Sequence, residues 1–291
     1  MTETDRRRTT VLLVAHGSRD PRFAMTARRV TGVVAARLPD LRVRLAYLDL
    51  DAPTVGEALA DCVGDMADCV GDMADCVGDT LVVPLLFGNA YHARVDLPAL
   101  LDDARAANPE LRVRQTAPIG SPALTAALAD RLDELGVRPD DGILLCAVGS
   151  SDTAADDAVI ERGRRLSRLL HRPVVTGFAT RSDAIVDAAN RLAAEGCGRI
   201  VVSPFFLAAG TLLERVERLL DGERTPDLDW AMAGPLGAHP AVIDTIVSRV
   251  GQVTGAAGHD SGACASRHLP SALTPGTVGV PARPPSARES R

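Results

Sequence analysis

Short runs of Val, Leu and Ile alternate with longer stretches of helical periodicity along most of the chain, the pattern of repeated βα units around parallel sheets. Strands are expected at Val11 to Ala15, Val43 to Leu48, Leu81 to Phe87 and Arg112 to Ala117. Between them the periodicity predicts helices over Pro21 to Arg37, Pro53 to about Asp79, Leu97 to Ala107 and Pro122 to Leu135. The second half predicts strands at Ile143 to Ala147, Val174 to Ala179, Arg199 to Phe206 and Leu228 to Ala233.

The two halves also share sequence. "ILLCAVGSSD" repeats "VLLVAHGSRD", "RIVVSPFFLAAGTLLERV" repeats "TLVVPLLFGNAYHARV", and "MAGPLGAHPAVIDTIVSRV" repeats "QTAPIGSPALTAALADRL", in the same order. An internal duplication accounts for this, giving two similar α/β lobes with parallel sheets, residues 9–137 and 138–253, joined near Gly136 to Gly142. Beyond Val253 the composition turns to Gly, Ala, Ser and Pro, so residues 254–291 are expected to form a disordered tail.

One low-complexity stretch interrupts the first lobe: three copies of a seven-residue unit, "ADCVGDMADCVGDMADCVGDT", from Ala60 to Thr80. Cys62, Cys69 and Cys76 do not suit a metal centre, because residues seven apart on a helix are separated by roughly 10.5 Å along its axis, whereas Zn–S bonds of about 2.3 Å need adjacent sulfurs. The stretch reads as a tandem expansion that lengthens one helix. His16 and His92 are 76 residues apart and the matching Val148 and Leu212 are 64 apart; removing two heptads from the first spacing leaves 62, nearly equal to the second.

Composition then narrows the function. The net charge of -6 disfavours nucleic-acid and anionic-membrane surfaces, and the 3% aromatic content disfavours base stacking. No segment approaches the roughly 20 apolar residues of a membrane span, and "MTETDRRRTT" lacks a signal-peptide cleavage region, so a cytoplasmic location is expected and the six cysteines are expected to stay reduced.

The candidate chemistry lies at strand ends, where ligands bind in parallel α/β sheets. His16 follows the first strand and His92 sits in the loop after the third, ahead of Asp96, which is positioned to cap the next helix. In a 2-1-3-4 strand order these strands are neighbours, and two imidazoles facing one opening suit Fe²⁺, Co²⁺, Ni²⁺ or Zn²⁺. A single histidine at a strand end is more often a hydrogen-bonded structural residue or a surface group; the pair at topologically matched positions is what points to a site. His171 lies at a helix end, His239 at a helix start, and His259 and His268 in the tail. Cys146 reads as core and Cys197 as a surface turn.

The segments "LLVAHGSRDPR", "AYLDLDAPTVGEAL" and "VVPLLFGNAYHARVDLP", followed by a degenerate second copy with "GSSD" and "SPFFLAAGTLLERV", resemble the sirohydrochlorin chelatase family of class II tetrapyrrole chelatases over residues 9 to 253. The resemblance implies a cytosolic lyase with two Rossmann-like lobes, a ferrochelatase or cobaltochelatase. Such an enzyme inserts a divalent metal into sirohydrochlorin on the way to sirohaem or cobalamin, as a monomer or homodimer. The metal (Fe²⁺, Co²⁺ or Ni²⁺) is then a substrate, with no permanently bound cofactor. His16 and His92 stand where the family places its metal-binding pair. Arg19, Arg22 and Arg94 are candidates for the substrate's carboxylates, and Gly17 and Ser18 for close approach of the loop to the macrocycle. Asp49 is a candidate for guiding the cation or for capping a helix. A non-catalytic metal or tetrapyrrole carrier fits the same residues. A serine hydrolase does not, because no G-x-S-x-G elbow is present.

Overall fold

The computed structural model describes residues 9–67, 79–88, 92–222 and 228–255, with the side chains of 64–67, 92 and 93 outside the description. The first lobe runs β1 (Thr10–Ala15), α1 (Pro21–Arg37), β2 (Arg42–Tyr47), α2 (Val55–Ala67), β3 (Asp79–Pro84), a π-helical turn (His92–Asp96), α3 (Leu97–Ala107), β4 (Arg112–Gln115) and α4 (Leu124–Leu135). The second runs β5 (Asp141–Ala147), α5 (Thr153–Leu170), β6 (Val174–Phe178), α6 (Ser182–Ala194), β7 (Arg199–Pro204), α7 (Thr211–Leu220), β8 (Trp230–Met232) and α8 (Pro240–Thr254). All strand pairs are parallel, and the orders are β2-β1-β3-β4 and β6-β5-β7-β8. The expected 2-1-3-4 order is therefore present in both lobes.

The apolar runs are continuous because the central strands are covered on both faces. Along β1, Val11, Leu13 and Ala15 face one core, while Leu12 and Val14 face another. In β5, Ile143, Leu145 and Ala147 alternate in the same way with Leu144 and Cys146. The inner core is common to both lobes: Ala27 and Val30 of α1, Leu124 and Leu128 of α4, Leu166 of α5 and Ile246 of α8 all join it. The outer face of the first sheet is covered by α2 and α3, and that of the second by α6 and α7. Burial pushes the Cys146 thiol up to about 12, so this cysteine is core rather than nucleophile.

Polar ties reinforce the shared core. The Arg162 guanidinium on α5 donates to the carbonyls of Gly120 and Ser121 and lies 4.5 Å from the centre of the Phe205 ring, which stacks on Phe87 at 4.8 Å. Burial pulls this guanidinium down to about 10. In the opposite sense, Arg131 on α4 donates to the carbonyl of Leu236.

Element ends differ from the sequence expectation in physical detail. Strands β3 and β7 stop at Pro84 and Pro204, so Leu85 to Phe87 and Phe205 to Phe206 leave the sheet. The helix expected from Pro53 is described as Val55–Ala67 and starts with a capping box, in which Thr54 N–H donates to Glu57 and Glu57 N–H donates to Thr54 Oγ1. That box makes Asp49 unnecessary as a cap. Asp96 is no cap either: it is helical (φ -67°, ψ -50°), and the π-helical turn runs directly into α3. His239 does start α8, its Nδ1 accepting from Ala241 N–H at 3.2 Å. The rest of the heptad repeat and the tail beyond Gly255 lie outside the described residues. Among the described residues, no helix is long and apolar enough to cross a membrane.

Candidate metal and substrate site

In each sheet the strand order reverses between the first and third strands, so a crevice opens at their carboxyl ends. In the first lobe that crevice lies between β1 and β3. His16 is the residue after β1, and His92 is the first residue of the π-helical turn that follows β3. The backbone thus brings both sequence candidates to one switch point, while the His92 ring lies outside the described side chains.

The His16 turn is tightly built. The His16 carbonyl accepts from Asp49 N–H at 3.0 Å, and Nδ1 of its half-buried ring lies 3.2 Å from the Gly17 carbonyl oxygen. A carbonyl only accepts, so this contact favours the tautomer with its proton on Nδ1. Gly17 is buried at φ +95°. Ser18 N–H donates to Asp51 at 2.9 Å, and Ser18 Oγ accepts from Asp20 N–H at 3.1 Å. Asp20 caps α1 through Arg22 N–H.

Asp49 and Asp51 place two carboxyl groups in the loop beside His16. Asp51 was not singled out from sequence. Its signal was "YLDLDAP", an acidic pair at the end of a strand that neighbours β1.

The arginines are engaged differently from one another. Arg19 is exposed and takes no part in the ion pairs among the described residues. Arg22 holds Asp20 at 2.5 Å and also meets Glu214 of the second lobe. Its hydrogen bonds to Asp20 first, then Glu214, push the guanidinium further up and keep it charged; Arg22 in turn draws the Asp20 carboxyl down. Arg94, in the π-helical turn, is paired with Asp152, the N-cap of α5.

The second lobe repeats the turn without the histidine. Val148 stands in the place of His16 and is 43% exposed, followed by Gly149 at φ +94°. Ser150 N–H donates to Asp156 at 2.9 Å, and Asp152 N–H to Ser150 Oγ at 3.0 Å. Here, however, the loop after β6 sets an arginine against the turn: Arg181 stacks on Phe178, donates to the Ser150 carbonyl and pairs with Asp156.

These features define a two-lobed, doubly wound α/β protein whose candidate ligand site is the switch point of its first sheet. The profile of the CbiX family matches residues 10–135 and again 142–253, and the chain belongs to that family. A sirohydrochlorin cobaltochelatase of Priestia megaterium is 25% identical over 245 residues, covering 79% of this chain and 75% of the relative. A sirohydrochlorin ferrochelatase of Bacillus subtilis (strain 168) is 23% identical over 244 residues, covering 82% and 90%. Among solved structures, the sirohydrochlorin chelatase SirB from Bacillus subtilis subspecies spizizenii in complex with cobalt has a TM-score of 0.68 at 21% identity, covering 86% of this chain and 96% of that one. SirB from Bacillus subtilis with Fe3+ has a TM-score of 0.69 at 22% identity, covering 85% and 96%. Both share this fold.

Proposed function

We propose that this protein inserts a divalent metal, Fe²⁺ or Co²⁺, into sirohydrochlorin, with His16 and His92 as the groups that hold the metal. The observation that carries the reading is the placement of His16 directly after β1 and of His92 in the turn after β3, which brings both to the switch point of one sheet.

Metal insertion needs a weak, exchangeable hold on the cation and an acceptor for the pyrrolic protons. Imidazole supplies both near neutral pH. Asp49 and Asp51 supply negative potential beside His16 that draws a cation to the first lobe. Arg19, Arg22 and Arg94 are the groups for the macrocycle's carboxylates, with Gly17 and Ser18 forming the close-approach turn. The two matched segments support lobes of residues 9–137 and 138–253, the second acting as the opposite wall.

The experiment is metal insertion into sirohydrochlorin, followed by absorbance, with wild type, His16→Ala and His92→Ala. Wild type is expected to turn over many times, and each variant to lose most activity while melting at the wild-type temperature. Product limited to one equivalent per wild-type chain would identify a carrier. Full turnover in either variant would remove that histidine from the mechanism.

A further inference from the structure

Among the ion pairs that cross between the lobes, two stand at the loops that follow the strands' carboxyl ends, and they are exchanged copies of one another. Arg22, in the first turn of the helix after β1, meets Glu214, in the first turn of the helix after β7. Arg94, in the turn after β3, meets Asp152, at the start of the helix after β5. In the duplicated plan, β1 corresponds to β5 and β3 to β7. Both arginines come from the first lobe, one six residues after His16 and the other two residues after His92, and both acids come from the second.

The charge balance matters for a carboxylate-rich ligand. Arg22 is shared between Asp20 and Glu214, so that group carries a net negative charge, and the Arg94–Asp152 pair is neutral. An approaching polyanion would find Nε and Nη2 of Arg22 and Nη2 of Arg94 already engaged, and the charge of both guanidinium groups already balanced by carboxylates. The pairs are nonetheless open to exchange: Arg22 and Glu214 are 44% and 40% exposed, Arg94 and Asp152 52% and 24%. A cavity of about 290 Å³ beside Arg22, walled by Gly210, Glu214, Glu217 and Gly234, leaves the Glu214 side chain room to swing away.

We infer that Asp152 and Glu214 are internal stand-ins for substrate carboxylates. They occupy Arg94 and Arg22 in the free protein, hold the two lobes together across the mouth of the cleft, and yield the arginines when the macrocycle enters. This rests on the reading of the protein as a sirohydrochlorin-binding chelatase and adds to it two residues of the second lobe that set substrate affinity.

Simple braces would behave differently. Removing a brace loosens the cleft and weakens or leaves unchanged the binding of substrate, whereas removing a competitor strengthens it. The test is equilibrium titration of metal-free sirohydrochlorin, followed by its absorbance, into the full chain as wild type, Asp152→Asn, Glu214→Gln and the double variant. Asn at position 152 still caps α5. Each single variant is expected to lower Kd by up to about fivefold, the scale of an exposed ion pair. The double variant is expected to combine the two effects and to lower KM for sirohydrochlorin in metal insertion without lowering kcat. An unchanged or raised Kd in the double variant would overturn the stand-in role while leaving the chelatase reading intact. Absence of binding by the wild-type chain would overturn the chelatase reading itself, and the stand-in role with it.

Discussion

Gly17 lies so close to Asp49 that a Cβ at position 17 would sit 1.7 Å from the Asp49 carbonyl oxygen. The two residues lock the turn after β1 against the turn after β2, with His16 accepting from Asp49 N–H on the same side. At Gly149, the equivalent turn, φ is nearly the same, but the nearest obstacle is the Thr180 hydroxyl at 2.7 Å. A backbone carbonyl cannot step aside, whereas a side-chain hydroxyl can rotate. Gly17→Ala is therefore expected to cost at least about 2 kcal/mol, counting the left-handed backbone and the collision together, and to cost more than Gly149→Ala. Urea denaturation of both variants measures this; equal losses would show that the Asp49 contact adds nothing.

The two crevices differ in charge as well as in histidine. Asp49 and Asp51 stand beside His16, while Arg181 is bound into the matching place next to Val148. No imidazole stands there and the nearby Asp156 carboxylate is already paired with Arg181, so one metal per chain is expected, in the first lobe. Calorimetric titration of Co²⁺ into a chain ending at Val253 should give a single site, absent from the His16→Ala, His92→Ala double variant. A second site of similar affinity surviving in that variant would contradict the assignment.

At the far edge of the second sheet, the buried Asp141 carboxylate accepts from Arg199 at 3.1 and 2.6 Å and from Arg138 N–H at 2.6 Å. Burial raises its pKa, but the Arg199 and Arg138 bonds more than offset this and leave it below the ordinary carboxylate value. A lowered folded-state pKa contributes stability that is full above the unfolded value, near 4, and is lost as pH falls through the folded value. Asp141→Asn takes from Arg199 the carboxylate it is hydrogen-bonded to and is expected to cost about 3 kcal/mol at pH 7. The gap to wild type should narrow below about pH 4. Melting curves from pH 7 to 3 check this, and a gap independent of pH would contradict it.

Among the described side chains of α2, Val55, Ala58, Leu59 and Cys62 are buried. Deleting Ala60 to Met73 places Ala74, Asp75 and Cys76 directly after Leu59, reproducing the Ala60, Asp61, Cys62 order on the same helix face. The shortened chain is expected to fold, to melt no lower than the full chain and to retain metal insertion. A lower melting temperature would mean that the repeat itself contributes to stability.

The α/β class, the duplication and the family were legible in the chain order alone, because apolar runs and repeated segments are properties of the order of residues. Helices α1 and α3 fell where the periodicity put them, Pro21–Arg37 and Leu97–Ala107, since Asp20 and Pro21 mark the first start and Pro98 the second. His16 was legible as a candidate because an imidazole directly after a buried strand interrupts the apolar pattern. Long-range partnership, by contrast, emerged with the folded chain. Asp51 reaches Ser18 across 33 residues of chain, and Arg22 reaches Glu214 across 192. The same holds for Asp152, whose cap to α5 was local, whereas its pairing with Arg94 depends on the second lobe standing across the cleft. Local spacing carries no signal for such contacts, because they arise when parallel strands bring distant loops to one sheet edge and two lobes close over a shared core.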